Sequence, residues 1–329
     1  MRRLAIIGGG SWGTALAMVS RRAGSVPVLW ARDPDVVVAI NQHHQNSSFL
    51  PGVRLDPAIT ATAEMASATA GADAALLVVP AQFLRGVLQV LASCLDRSLP
   101  VLLCAKGIET GSLKTMSAVA AEILPGCPSA VLSGPTFAVE VARGLPTAVA
   151  LASFDASLGR AFMGALGSSR FRPYLSGDPV GAEIGGAVKN VLAIACGIIV
   201  GRDLGENARA SLITRGLAEM ARLGVGMGGR SETFSGLSGL GDLVLTCSSA
   251  QSRNYALGLA LGRGQALEAA LHGRRSVVEG VATAAAVTRL ARRLGIEMPI
   301  CVGVDALLHQ GESIDAVIDL LLRRPYRAE

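Results

Sequence analysis

The run Arg3-Leu4-Ala5-Ile6-Ile7-Gly8-Gly9-Gly10-Ser11-Trp12-Gly13-Thr14 decides the fold. A short apolar stretch ends in the pattern GxGxxG, and an Ala/Leu-rich helical stretch follows. That strand–turn–helix order is the context of a dinucleotide-binding fingerprint; the six residues alone, without it, would be only a structural turn. Gly8 permits the tight turn, Gly10 lets backbone approach a pyrophosphate, and Gly13 lets helix and strand pack closely. The helix N-terminus then offers free N–H groups to an anion. Ser11 and Trp12 lie inside the same turn.

Outward from this motif, β-type runs at 3–7, 26–30, 74–79, 100–104 and 130–132 are separated by helical stretches such as 14–22 and 82–95. Such alternation predicts a parallel sheet with helices on both faces. Several of the strands are almost wholly apolar, as strands buried on both faces are. Runs at 147–152 and 170–175 can extend the sheet. From about residue 180 the strand signals vanish. Helical periods take over at 183–200, 207–223, 253–261, 281–294, 302–309 and 314–323, with glycine-rich joints at 224–229 and 236–241. The expected architecture is an α/β Rossmann-type N-terminal domain over 1–180 and an all-α substrate domain over 181–329.

Composition narrows the function. Half of the 329 residues are hydrophobic and 17% are charged, so a large core can be buried. The net charge of +5 comes without any block of five like charges. Nucleic acid and membrane surfaces are therefore not indicated as partners, while a small anionic ligand suits the mild excess of cation. Cys94, Cys104, Cys127, Cys196, Cys247 and Cys301 form no CxxC pair and read as reduced thiols of a cytoplasmic protein. The four histidines show no metal-ligand spacing. The apolar run 4–7 is shorter than the ~7–15 residues of a signal peptide core. The run 191–201 is shorter than the ~20 residues that cross a bilayer, and it reads as a buried helix. In that setting the Asn46-Ser47-Ser48 sequon carries no meaning.

Ligands of open α/β sheets lie beyond the carboxyl ends of the strands. At the end of the second strand stands Arg32, where a strict NAD binder usually has an acid. It can pair with a 2′-phosphate, which favours NADP over NAD, or be a solvated loop cation. Asp33 can cap the following turn. Lys106 is the one cation at such an edge, and Gly134 and Thr136 can offer an N–H and a hydroxyl; each is also compatible with ordinary turn chemistry. Lys189 falls on an apolar helix among Ala193, Cys196 and Gly197. It is either a proton-transfer group with a pKa lowered by desolvation or a snorkelling lysine at a helix start. Asp242 sits in an apolar stretch, as a partner to a buried cation or as a helix cap. Ser252-Arg253-Asn254 opens a helix, where Ser252 can cap and Arg253 with free N–H groups can hold a phosphate.

Taken in order, these motifs resemble the NAD(P)-dependent glycerol-3-phosphate dehydrogenase family of bacteria. The stretches that carry the resemblance are 8–14, 133–138, 185–191, 207–223, 239–247 and 277–281, and it extends over residues 4 to about 322. It implies reduction of dihydroxyacetone phosphate to sn-glycerol 3-phosphate for phospholipid synthesis, with NADP or NAD, by a homodimer. Residue by residue, it makes Lys189 the catalytic base and Lys106 a lysine touching both substrate and cofactor. Gly134, Thr136, Asp242, Ser252, Arg253 and Asn254 become the substrate pocket. Ser11, Trp12, Arg32, Ala138, Val277 and Glu279 become cofactor contacts, with Arg253 shared. His44 stands where many members carry an arginine, so the loop around it receives no cofactor role. Two alternatives share the architecture. A β-hydroxyacid dehydrogenase would prefer a carboxylate and would not need the Ser252-Arg253-Asn254 clamp. A non-catalytic NADP sensor would dispense with Lys106 and Lys189.

Overall fold

A computed structural model describes residues 1–96 and 98–325; residues 326–329 of the expected second domain lie outside them. The strands in chain order are β1 (Arg3–Ile7), β2 (Val26–Trp30), β3 (Gln45–Asn46), β4 (Leu50–Arg54), β5 (Thr60–Thr62), β6 (Ala74–Leu77), β7 (Val101–Leu103), β8 (Ser129–Ser133), β9 (Thr147–Ala152) and β10 (Phe171–Ser176). Among the described residues, eight of them form one sheet in the order β10-β9-β8-β7-β6-β1-β2-β5. From β8 to β5 every pairing is parallel. Leu4, Ala5, Ile6 and Ile7 are fully buried, because apolar helices cover both faces.

The sheet departs from the all-parallel expectation at one edge. β9 runs antiparallel to β8 and parallel to β10. The connection between β8 and β9, residues 134–146, holds only the six-residue helix Ala138–Arg143 and lies near the lower limit of about a dozen residues for a parallel crossover. The edge strand β5 has only three residues, Thr60–Thr62, too short a run to read, and the β3–β4 hairpin carries no alternating apolar signal; both are absent from the sequence reading. So are the helices Pro34–His43, Met116–Ile123 and Ala156–Leu166, whose limits depend on the caps Asp33, Thr115 and Asp155. The expected strand 74–79 ends at Leu77, since Val78 and Val79 turn out of the sheet toward Pro80. The expected helix 82–95 is a single tight turn, Ala81–Phe83, followed by the helix Leu84–Leu91.

The helical half is built around the 23-residue helix Pro179–Gly201. Asp178 caps it by accepting the Gly181 N–H at 2.9 Å, and Pro179 fills its first position, which needs no N–H donor. The helices Glu206–Gly226, Arg253–Gly262, Glu279–Leu294 and Pro299–His309 pack around it. Here the reading of an apolar run too short for a membrane needs correction. The helix is long and apolar enough to cross one, but 89% of its apolar window is buried inside the protein. It also carries Glu183 and Lys189, both buried. It is the axis of a core.

Candidate active site

The glycine loop follows β1, and its three key glycines differ in what surrounds them. A Cβ on Gly13 would lie 1.8 Å from the Gly8 carbonyl oxygen, and one on Gly8 would lie 2.9 Å from the Val78 backbone. Gly8 also has φ +133°, a region that favours glycine. At Gly10 nothing lies within 4 Å of the Cβ direction, so a ligand can approach the backbone there. Asn46, fully buried in the β3–β4 hairpin, clamps the loop. Its Nδ2 donates to the Gly9 carbonyl at 2.9 Å and to Thr14 Oγ1 at 2.8 Å. That use of the sequon asparagine is local support the sequence did not announce. His44, in the left-handed region with φ 50°, ends the helix Pro34–His43 and lets the hairpin turn back.

Arg32 stands exposed at the end of β2, beside Ala31, which packs against Gly9. It makes no ion pair or side-chain hydrogen bond among the described residues. Asp33 caps the next helix through the Asp35 N–H at 3.0 Å. Ser11 and Trp12 open the helix Ser11–Arg22, and the indole N–H of Trp12 has no partner among the described residues. An open backbone at Gly10, a free helix N-terminus and an unpaired cation at the β2 end fit a phosphate-linked dinucleotide.

Three segments far apart in sequence meet at Asp242. Lys189 Nζ donates to Asp242 Oδ1 at 2.5 Å, and Lys106 Nζ donates to Asp242 Oδ2 at 2.7 Å. Lys106 also donates to the Gly134 carbonyl at 2.8 Å, and the Thr136 hydroxyl donates to that same oxygen at 3.2 Å. Asp242 is fully buried and Lys189 is 6% exposed. Burial pushes the Lys189 amine down to about 8; the Asp242 charge opposes this, and the Lys106 charge adds to it. Thr246, one turn beyond Asp242, accepts from Lys189 at 3.0 Å and was missed because its hydroxyl looks like ordinary helix filler. The π-helical turn Leu237–Gly241 delivers Asp242 into this position.

A second polar chain borders the first. Asn190 Nδ2 donates to the Lys106 carbonyl at 3.3 Å, and Asn254 Nδ2 donates to Asn190 Oδ1 at 2.9 Å. Asn254 Oδ1 accepts the Gly280 N–H at 2.9 Å. The Asn254 side chain is thus committed to the protein, leaving the helix-end N–H groups as its free contribution. Ser252 caps the helix Arg253–Gly262 through the Tyr255 N–H at 3.2 Å. Arg253 is exposed, makes no hydrogen bond among the described residues, and feels the charges of Glu279 and Arg274. Glu279 Oε1 accepts the Ala81 N–H at 3.1 Å, which ties the helical half to the turn after β6. Its Oε2 is buried without a partner beside Gly107. Burial raises the Glu279 carboxyl to about 7, with the Ala81 hydrogen bond and the Arg253 charge opposing. Val277 lies at the surface two residues before it, and Ala138 is the first residue of the helix Ala138–Arg143.

A dinucleotide loop at one end of the sheet and a carboxylate shared by two lysines at its interface with a helical half define an NAD(P)-dependent dehydrogenase. The sequence agrees in detail. Residues 3–158 match the model of the NAD-dependent glycerol-3-phosphate dehydrogenase N-terminus, and residues 178–319 match that of its C-terminus. The glycerol-3-phosphate dehydrogenase [NAD(P)+] of Rhodospirillum rubrum is 58% identical over 326 residues, 99% of this chain and 93% of that one. Its counterpart in Caulobacter vibrioides is 57% identical over 327 residues, 99% and 98% of the two chains. The crystal structure of glycerol-3-phosphate dehydrogenase from Coxiella burnetii superposes with a TM-score of 0.95 at 40% identity, covering 98% of this chain and 99% of that one. The chain belongs to the NAD(P)-dependent glycerol-3-phosphate dehydrogenase family.

Proposed function

We propose that the protein interconverts dihydroxyacetone phosphate and sn-glycerol 3-phosphate in the cytoplasm, supplying glycerol 3-phosphate for phospholipid synthesis. The observation that carries this reading is Asp242 bridging Lys189 and Lys106, with the helix that Arg253 opens joined through Asn254 to Asn190, the residue after Lys189. When bound, the nicotinamide supplies a hydride to C2 in reduction and accepts it in oxidation. Lys189, as ammonium, gives its proton to the C2 oxygen during reduction; as free amine it takes that proton during oxidation. Two lysines against one carboxylate leave a net positive charge where an alkoxide would develop. Asp242 holds both ammonium groups in place and, being fully buried, does so without competition from water. Gly134 and Thr136 shape the wall beside Lys106. Arg253 and the first-turn N–H groups near Ser252 and Asn254 hold the phosphate, so remote binding energy positions C2.

Gly8, Gly10, Ser11, Trp12 and Gly13 cradle the pyrophosphate in this reading, and Arg32 meets the 2′-phosphate of NADP. Ala138, Val277 and Glu279 line the rest of the cofactor cleft, with Lys106 and Arg253 shared between cofactor and substrate. A homodimer is supported by an open apolar groove of about 1520 Å³ between the helices Glu206–Gly226, Pro299–His309 and Ile314–Leu322, where Leu204, Val225 and Leu322 are exposed. Sedimentation equilibrium of the purified chain tests that part. The decisive experiment is dihydroxyacetone phosphate-dependent oxidation of NADPH and of NADH, read as loss of reduced-nicotinamide absorbance. Absence of turnover with both cofactors sinks the reading.

A further inference from the structure

We infer that Gly186 positions Lys106: its missing side chain is the space in which the Lys106 stem lies across the central helix to reach Asp242. This inference rests on the reading of Lys106 as part of the reducing site. Gly186 falls inside the 23-residue helix Pro179–Gly201, where glycine is disfavoured relative to alanine unless space is needed. A Cβ there would lie 3.3 Å from Lys106 Cγ, 3.5 Å from Lys106 Cδ and 3.0 Å from Ser133 Oγ. The stem cannot slide away, because Lys106 is fixed at both ends. Its carbonyl accepts from Asn190, one turn beyond Gly186, at 3.3 Å, and its ammonium is held by Gly134 and Asp242 at 2.8 and 2.7 Å. Ser133, buried and with its Oγ unpartnered among the described residues, closes the other side of the gap.

The neighbouring Gly185 has a different task. A Cβ at Gly185 would fall 2.3 Å from the Ser238 carbonyl oxygen, which is backbone of the turn that carries Asp242. Gly185 therefore admits a piece of main chain, and Gly186 admits a functional side chain. Substitution at 186 should consequently spare the fold and disturb the site.

The test is Gly186→Ala, measured for thermal midpoint, NADPH affinity and kinetics with dihydroxyacetone phosphate. We expect an unchanged or higher midpoint, NADPH affinity within about twofold, and a fall of ~10-fold in kcat/KM, in keeping with a sub-ångström displacement of a reacting group. The crystal structure of Gly186→Ala should show the Lys106 Cγ and Cδ displaced by a few tenths of an ångström and the 2.7 Å Lys106–Asp242 contact lengthened. This readout needs no turnover, so it judges the inference even if the wild type fails on this substrate. Adding Ser133→Ala should recover part of the loss, since it removes the nearest atom. A folded Gly186→Ala with wild-type kcat/KM and an unmoved Lys106 stem and Lys106–Asp242 distance overturns the inference. So does a parallel loss of stability and cofactor affinity, or a double variant no better than the single one.

Discussion

The glycine loop at 8–13 and the glycine pair at 185–186 use one residue type in opposite ways. In the loop, Gly13 is crowded by the Gly8 carbonyl of its own strand–turn–helix unit and Gly8 by the Val78 backbone at the end of β6, while Gly10 is left open for a ligand. In the pair, both glycines are fully helical, and what crowds them comes from residues 106, 133 and 238. The loop is read from a dozen consecutive residues, with Asn46 and the Val78 backbone holding it from outside. The pair is a meeting point that draws a strand end, a helix and a π-helical turn together around Asp242. In the proposed reading, damage to the loop should fall on cofactor binding, whereas damage at the meeting point should fall on the reacting atoms.

The sharpest way to break that division is Lys189→Ala. It should retain the fold and cofactor binding and lose kcat by at least the ~10²–10⁴-fold of a general acid–base. Near-normal kcat in a folded variant would remove Lys189 from the proposed mechanism. Arg253→Ala should raise KM for dihydroxyacetone phosphate ~10–10²-fold, the scale of a lost charge-assisted hydrogen bond. Unphosphorylated dihydroxyacetone should be affected far less, and Arg253→Lys should recover only part, because Lys lacks the planar fork. Equal losses on both substrates would move the phosphate site elsewhere.

A pH profile sharpens the comparison without any mutation. Burial lowers the Lys189 amine from 10.5 to about 8. Reduction needs the protonated amine, so its rate should decline as pH rises through about 8. Oxidation needs the free amine and should rise over the same interval. Profiles of both directions that move together would exclude Lys189 as the titrating group. The smallest effect is expected in the nucleotide half. Arg32→Ala should lower the NADPH-to-NADH ratio of kcat/KM only ~3–10-fold, because an exposed cation is well screened. An unchanged ratio would leave Arg32 a solvated loop residue.

Much of the fold was legible because its signals are periodic and local. The apolar runs at 3–7, 26–30 and 147–152 became β1, β2 and β9 with those limits. The direction of β9 was not legible, since a strand's sequence does not record which way its neighbour runs. The short hairpin at 45–54 was hidden for a related reason: its use lies in Asn46 reaching the loop, not in a pattern of its own. At the candidate site, residue types marked Lys106, Lys189 and Asp242 individually, leaving open a snorkelling lysine or a helix cap. Their mutual distances remove those readings, since both lysines point at the same carboxylate.

The sequence by itself determined the glycine turn, the two-part layout and the cationic helix start at Ser252–Asn254, because each depends on neighbours along the chain. Only the tertiary structure decided that Lys106 and Lys189 share Asp242, that Asn254 spends its side chain on Asn190 and Gly280, and that Gly186 leaves room for a lysine stem. Those facts join residues up to 136 positions apart. Burial sets the Lys189 amine near 8, and burial is a property of packing, which no single stretch of sequence contains.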